Sequence, residues 1–244
     1  MILAVTGTDT GVGKTVVTAA LAAALAGTGH TVAVYKPVQT GEPPVADASP
    51  GAPRGGDIGE VGRLAGPGVV LSEGARLAEP MAPVAAAAAE GCGLPGLETH
   101  LAQIERLHGR ADVVLVEGAG GLLVQLTGAG DTIADVCLAA GGRLAVVARP
   151  GLGTLNHTGL TLEAARARGV ETAGVVLGSW PAHPTPVEVS NRATLRQMCS
   201  DAGIGWWGAL PEGAGSWGSG RFTREALRWF VKRRVEVASA GPLR

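Results

Sequence analysis

The strongest chemical signal in the chain is the stretch Gly7-Thr8-Asp9-Thr10-Gly11-Val12-Gly13-Lys14-Thr15. It follows the apolar run Ile2 to Thr6 and opens an Ala/Val-rich segment, the strand–loop–helix setting of a phosphate-binding P-loop. Its glycines let successive backbone N–H groups turn inward, and the helix start adds partial positive charge. Lys14 is placed to neutralise β- and γ-phosphate oxygens, and the Thr15 hydroxyl to bind magnesium. Five residues rather than four separate Gly7 from Gly13, a departure from the standard spacing.

A second ammonium, Lys36, ends an apolar run and precedes Pro37-Val38-Gln39-Thr40-Gly41. Of 20 Lys plus Arg, only Lys14, Lys36 and Lys232 are lysines, and two of the three fall at these loops. A compact ammonium with rotatable donors suits the site, and a second one suits a reaction that develops negative charge on more than the nucleotide alone. Glu117 closes the run ADVVLVE before Gly118-Ala119-Gly120-Gly121 and offers a carboxylate for a metal. Asp57 is a second candidate ligand, with helix capping as the plain alternative. Thr15, Asp57 and Glu117 form a hard oxygen set suited to magnesium plus water and phosphate. Asp131 and Asp135 read as turn and surface residues. Gly151-Leu152-Gly153-Thr154-Leu155-Asn156-His157 leads into a helix whose free N–H groups suit a carboxylate. His157 is a possible general base, although a helix-start histidine is more often structural.

These groups need a scaffold. Unalternating apolar runs at Ile2 to Thr6, Thr31 to Lys36, Asp112 to Val116, Leu144 to Ala148 and Ala173 to Leu177 imply strands buried on both faces. Helical stretches Gly13 to Ala26, Leu97 to Leu107, Thr154 to Arg168 and Pro186 to Ala202 lie between or after them. The alternation predicts a doubly wound α/β sheet with right-handed crossovers, whose ligands sit beyond the carboxyl strand ends. Ala82 to Ala89 reads as a packed helix. Gly41 to Gly56 is rich in Pro and Gly and predicts a mobile loop. Gly213 to Gly220 predicts a flexible segment before a C-terminal helix, Phe222 to Val237.

The 244 residues suit one domain with a sizeable core, 46% of them hydrophobic, and residues 1–244 are expected to form it. A net charge of −1 gives no reason to expect nucleic acid or an anionic membrane as partner. No apolar run approaches the roughly 18 residues of a membrane span. No export signal is read, and three cysteines without metal-like spacing fit a cytoplasmic location.

Taken together, the P-loop, the Lys36 to Gly41 motif, Val116-Glu117-Gly118-Ala119-Gly120-Gly121 and Gly153-Thr154-Leu155-Asn156-His157 resemble the dethiobiotin synthetase family, from about residue 2 to about residue 212. The resemblance implies a single-domain P-loop fold, a largely parallel seven-stranded sheet with helices on both faces, and a homodimer. It implies an ATP- and Mg2+-dependent cyclo-ligase of biotin biosynthesis that joins 7,8-diaminopelargonate and CO2 into dethiobiotin, releasing ADP and phosphate. Lys14 and Lys36 are then catalytic. Thr10, Gly11, Val12, Gly13, Lys14, Thr15 and Val16 bind nucleotide, with Gly178, Ser179, Leu210, Pro211 and Glu212 around the base. Substrate contacts fall on Thr10, Lys36, Thr40, Glu117 and Gly120, and Leu152, Gly153 and Asn156 of the neighbouring subunit hold the substrate carboxylate. Gly11 stands where some members have Glu, and Gly178-Ser179-Trp180 where some have an adenine-reading Asn. Other nucleoside triphosphates, CTP among them, are therefore expected to bind.

Other classes share this loop. Partitioning and septum-placement ATPases are dimeric switches on DNA or membranes, but their additional early-loop lysine has no counterpart in Thr8 to Val12. The tail with Lys232, Arg233 and Arg234 reads as a solvated basic face more readily than as a membrane helix. A cobyrinate-type amidotransferase would need a further glutaminase domain, for which the chain is too short.

Overall fold

The computed structural model describes residues 1–43 and 55–230. Seven strands form one sheet: β1 (Ile2–Gly7), β2 (Val32–Gln39), β3 (Val69–Arg76), β4 (Val113–Gly121), β5 (Arg143–Ala148), β6 (Thr172–Trp180) and β7 (Gly205–Pro211). Their order is β3-β2-β4-β1-β5-β6-β7, and every neighbouring pair is parallel. The five apolar runs expected to be strands are all present. β3 and β7, which sequence patterning did not single out, form the two edges.

Parallel strands need crossovers, and the helices supply them on both faces. They are α1 (Lys14–Gly27), α2 (Gly56–Ala65), α3 (Pro83–Glu90), α4 (Leu97–His108), α5 (Ile133–Ala139), α6 (Thr154–Ala167), α7 (Pro186–Asp201) and α8 (Ser219–Phe230). Alternate strand residues point to opposite faces, so Leu3 and Val5 enter one core with α1, α2 and α8. Ala4 enters the other, with α3 to α7. The α1 face is unusually small: Ala19, Ala20, Ala22, Ala23 and Ala24 are buried, which lets the helix lie close against the sheet.

Two expectations change. Asp135 is more than a surface residue: it accepts from the Thr132 N–H and hydroxyl in a capping box on α5 and pairs with Arg168. The Gly/Ser-rich stretch 213–220, expected as flexible, instead holds a 3-10 turn at Ala214–Ser216 and starts α8 at Ser219. Arg63 of α2 pins it through the carbonyls of Gly215 and Trp217. Of the loop expected at Gly41 to Gly56, residues 44–54 lie outside the described residues, and Gly56 already belongs to α2. The tail basics Lys232, Arg233 and Arg234 also lie outside them. All three cysteines are free, and burial pushes the Cys137 and Cys199 thiols up to about 12 and about 11. Among the described residues, no helix is long and apolar enough to cross a membrane.

Candidate active site

The site begins where β2 parts from β4. Their pairing stops at Tyr35 and Val116, while β2 stays paired with β3 out to Gln39 and Arg76. Pro37, which has no N–H to give, sits in this one-sided stretch. The split exposes the carboxyl ends of both strands to a cleft of about 670 Å³. Thr10, Gly11, Gly13, Lys14, Thr15, Val16, Lys36, Thr40, Asp57 and Gly120 all line it.

The P-loop reaches this cleft from β1, which pairs with β4 so that Val5 lies opposite Glu117. Gly11 and Gly13 take φ of +73° and +94°, the left-handed turn that aims the loop amides inward. Thr8 N–H donates to the Val147 carbonyl on β5 and Thr10 N–H to Asp9 Oδ1, fixing the loop at 2.9 and 2.7 Å. Val12 is buried beneath it. At Gly120, φ is +61°, and a Cβ there would lie 2.9 Å from Val124 Cγ2 and 3.5 Å from Thr10 Oγ1. Glycine thus lets the β4 turn close on the loop.

At the floor, four side chains meet. Lys36 Nζ lies 2.6 Å from Asp57 Oδ2 and 3.1 Å from Glu117 Oε1, and donates to the Gly118 carbonyl at 2.9 Å. The Thr15 hydroxyl is 2.9 Å from both Asp57 Oδ1 and Glu117 Oε1, donating to one at a time. Lys36 and Glu117 are 3% and 1% exposed, so neither charge would be tolerated alone. Burial by itself would lower the Lys36 ammonium, but the Glu117 and Asp57 carboxylates outweigh it and hold it above its ordinary value. Asp57 is likewise lifted by burial and pulled down further by Lys36, ending below the usual carboxylate range. Lys14 differs: burial and then the Lys36 charge lower it, and its Nζ rests on the Asp9 carbonyl at 3.1 Å. Among the described residues it makes no ion pair with a carboxylate, an arrangement that suits an anionic ligand.

Thr15, Asp57 and Glu117 therefore converge as three oxygen donors, a set that suits a hard divalent cation beside a phosphate. Asp57 is in the first turn of α2, whose N-cap is Gly55, so its carboxylate serves the site rather than capping the helix.

The remaining expected residues lie elsewhere. Gly178 packs on the loop itself, since a Cβ there would lie 2.0 Å from the Val12 carbonyl. Ser179 is half-buried, Leu210 is buried, and the Glu212 N–H donates to the Trp180 carbonyl at 2.8 Å, tying the ends of β6 and β7 together. Leu210, Pro211 and Glu212 stay outside the cleft. So do Leu152, Gly153, Asn156 and His157. Leu152 is 83% exposed, and Gly153 opens α6 at φ +89°. Gln39, to which the sequence alone assigns no role, lines the cleft and accepts the Asp57 N–H.

A family model described as an AAA domain matches residues 2–214. The ATP-dependent dethiobiotin synthetase of Mycobacterium avium (strain 104) is 49% identical over 221 residues, 91% of either chain. That of Rhodococcus jostii (strain RHA1) is 46% identical over 229 residues, 94% of either chain. The chain belongs to the dethiobiotin synthetase family. As a member of the dethiobiotin synthetase family it is an ATP-dependent ligase with small-molecule substrates. Among solved structures, a ParA family ATPase from Chlorobium tepidum TLS matches with a TM-score of 0.55 at 14% identity, covering 93% of this chain and 97% of that one. The MinD cell division protein of Aquifex aeolicus gives 0.51 at 14%, covering 100% and 99%. At such identities the likeness is one of fold.

Proposed function

We propose that the chain carries out the synthetase reaction on 7,8-diaminopelargonate, CO2 and ATP with Mg2+, in the cytoplasm and as a homodimer. The observation that carries this reading is the gathering of two buried ammonium groups in one cleft, Lys36 paired with the Asp57 and Glu117 carboxylates beside the Thr15 hydroxyl, and Lys14 on the Asp9 carbonyl. One amine of the diamine adds to CO2 and loses a proton, leaving a carbamate. A carbamate oxygen attacks the γ-phosphorus of ATP and ADP departs. The second amine then attacks the carbamoyl carbon, the phosphate leaves, and the ureido ring closes.

Each step builds or moves negative charge, and this chain's residues answer it. The loop amides from Gly11 to Thr15 hold the triphosphate and Lys14 meets its outer oxygens. Lys36 faces the carbamate as it approaches the γ-phosphoryl group, where two anions must meet in a dry site. Thr10, Thr40 and Gly120 line the wall along which the diamine lies. Thr15, Asp57 and Glu117 would hold Mg2+, which supplies charge neutralisation for the triphosphate when bound. Gly178, Ser179 and Leu210 to Glu212 would surround the base, and Leu152, Gly153 and Asn156 would reach the diamine carboxylate from a second subunit. Their position outside the cleft of their own chain is compatible with that service.

The test is a coupled assay with ATP, Mg2+, bicarbonate and the diamine. Phosphate release that depends on the diamine is expected; release indifferent to it would favour a switch ATPase. The base region offers Gly178 and Ser179 where an amide side chain would read adenine. CTP is accordingly expected to bind at millimolar concentration or below, and a calorimetric titration in which CTP stays silent while ATP binds would reject this part.

A further inference from the structure

Gln39 is 5% exposed, and both ends of its carboxamide are used. Its Oε1 accepts the Asp57 N–H at 2.9 Å, and its Nε2 donates to the Thr40 carbonyl at 2.8 Å. The partners fix which end is which, because an N–H can meet only the oxygen and a carbonyl only the nitrogen. The carboxamide is held from behind as well. Leu77 N–H donates to the Gln39 carbonyl at 2.9 Å, so the backbone at residue 39 stays in the sheet. Gly56, at φ +76°, lies so close that a Cβ would come 2.9 Å from Gln39 Cδ.

What this bridge joins is specific. On one side stands Asp57, whose carboxylate is bound to Lys36 and Thr15. On the other stands Thr40, on the cleft wall. First-turn N–H groups of a helix have no intrahelical acceptor, and the glycine N-cap of α2 offers no side chain, so Gln39 supplies from a strand the acceptor that a capping residue would give. A cap alone would need only the oxygen. The second bond, to the Thr40 backbone carbonyl, has no use in capping and links the main chain that carries Asp57 to the main chain of Thr40 on the cleft wall.

We propose that Gln39 is a positioning residue that sets Asp57 and Thr40 relative to each other, so that one side chain governs both cation affinity and diamine affinity. The diamine half rests on the function proposed above; the cation half does not. The experiment compares wild type with Gln39→Met, similar in length but without donor or acceptor. The measurements are Mn2+ binding to the ADP-loaded protein by titration, kcat and KM for the diamine, and thermal unfolding. Loss of such a supporting bond is worth about tenfold in cation affinity, and the diamine KM is expected to rise by a similar factor of about ten, with kcat changed by less than about threefold. A purely structural cap would lower the melting temperature while leaving Mn2+ affinity and the diamine KM at wild-type values, and that result overturns the proposal. If Gln39→Met does not fold, Gln39→Asn decides, since it keeps the amide but is one methylene too short to span both partners. It is expected to shift both constants in the same direction, and wild-type constants in it overturn the proposal equally. Should wild type turn over no diamine, the reaction reading fails, and the Mn2+ titration still decides the role of Gln39 at Asp57.

Discussion

Replacing Lys36 with Gln is expected to lower turnover by at least about a hundredfold while nucleotide affinity stays within about threefold, a loss of about 2.7 kcal/mol in the transition state. The asymmetry follows from what each lysine touches. In the proposed reaction Lys14 and the loop amides meet the triphosphate, whereas Lys36, in the same cleft, is held by Asp57, Glu117 and the Gly118 carbonyl. Its charge is secured over the whole working range. A lysine raised above its ordinary value gives stability that is fully present below about pH 10.4 and is lost only as pH climbs through the folded value. A depressed carboxylate such as Asp57 gives stability present above its ordinary range and lost as pH falls through its lower folded value. The pair therefore stays ionised at neutral pH, and the neutral-range pH profile of turnover should carry no Lys36 limb. The Lys36→Gln variant would leave two carboxylates without their counter-charge, so the assay must be run at saturating Mg2+, with circular dichroism to confirm the fold. Near-normal turnover would make Lys36 a structural counter-ion and move the chemistry to Lys14 alone.

Much of this is legible in the residues alone, and the reason is physical. Five strands are buried on both faces and read as unbroken apolar runs. The P-loop must keep its glycines, lysine and threonine in one order because a phosphate demands it. β3 and β7 escape such reading because an edge strand has one paired neighbour and a mixed outer face: β3 turns polar at Ser72 and Glu73 after three apolar residues, with Val70 exposed, and β7 opens Gly205-Trp206-Trp207. α2 is hidden by Gly56, Gly59 and Gly62, poor helix formers, although Ile58, Val61, Leu64 and Ala65 carry the helical spacing and are all buried. Asp57 is found without its helix, because a carboxylate after a loop is visible as chemistry even when its support is not. Gln39 can be found only from distances. A glutamine in a strand-end motif carries no sign of which backbone groups its amide will reach.

The second large effect concerns Gly178, expected beside the base and packed in the structure against the backbone of the loop. Its φ is not in the left-handed region, so the constraint is one of space alone. A Cβ there would lie 2.0 Å from the Val12 carbonyl oxygen and 2.9 Å from Val147 Cγ1. The contact is mutual, since a Cβ on Gly13 would come 2.9 Å from the Gly178 carbonyl oxygen. β6 and the P-loop backbone thus touch with no side chain between them, and the loop's curvature is set partly by that floor. Gly178→Ala must push the loop away from the sheet, at a cost of about 1 to 3 kcal/mol in stability and at least about tenfold in nucleotide affinity. The control lies on the same strand. Gly174 is as crowded, with a Cβ only 2.2 Å from Trp207 Cε2, but its neighbours belong to β7 and not to the loop. Gly174→Ala should lose comparable stability and leave ATP affinity unchanged in a fluorescence or calorimetric titration. If Gly178→Ala loses stability alone, as its neighbour does, then the loop keeps its shape without the strand beneath it, and the positive φ values of Gly11 and Gly13 suffice to hold the phosphates.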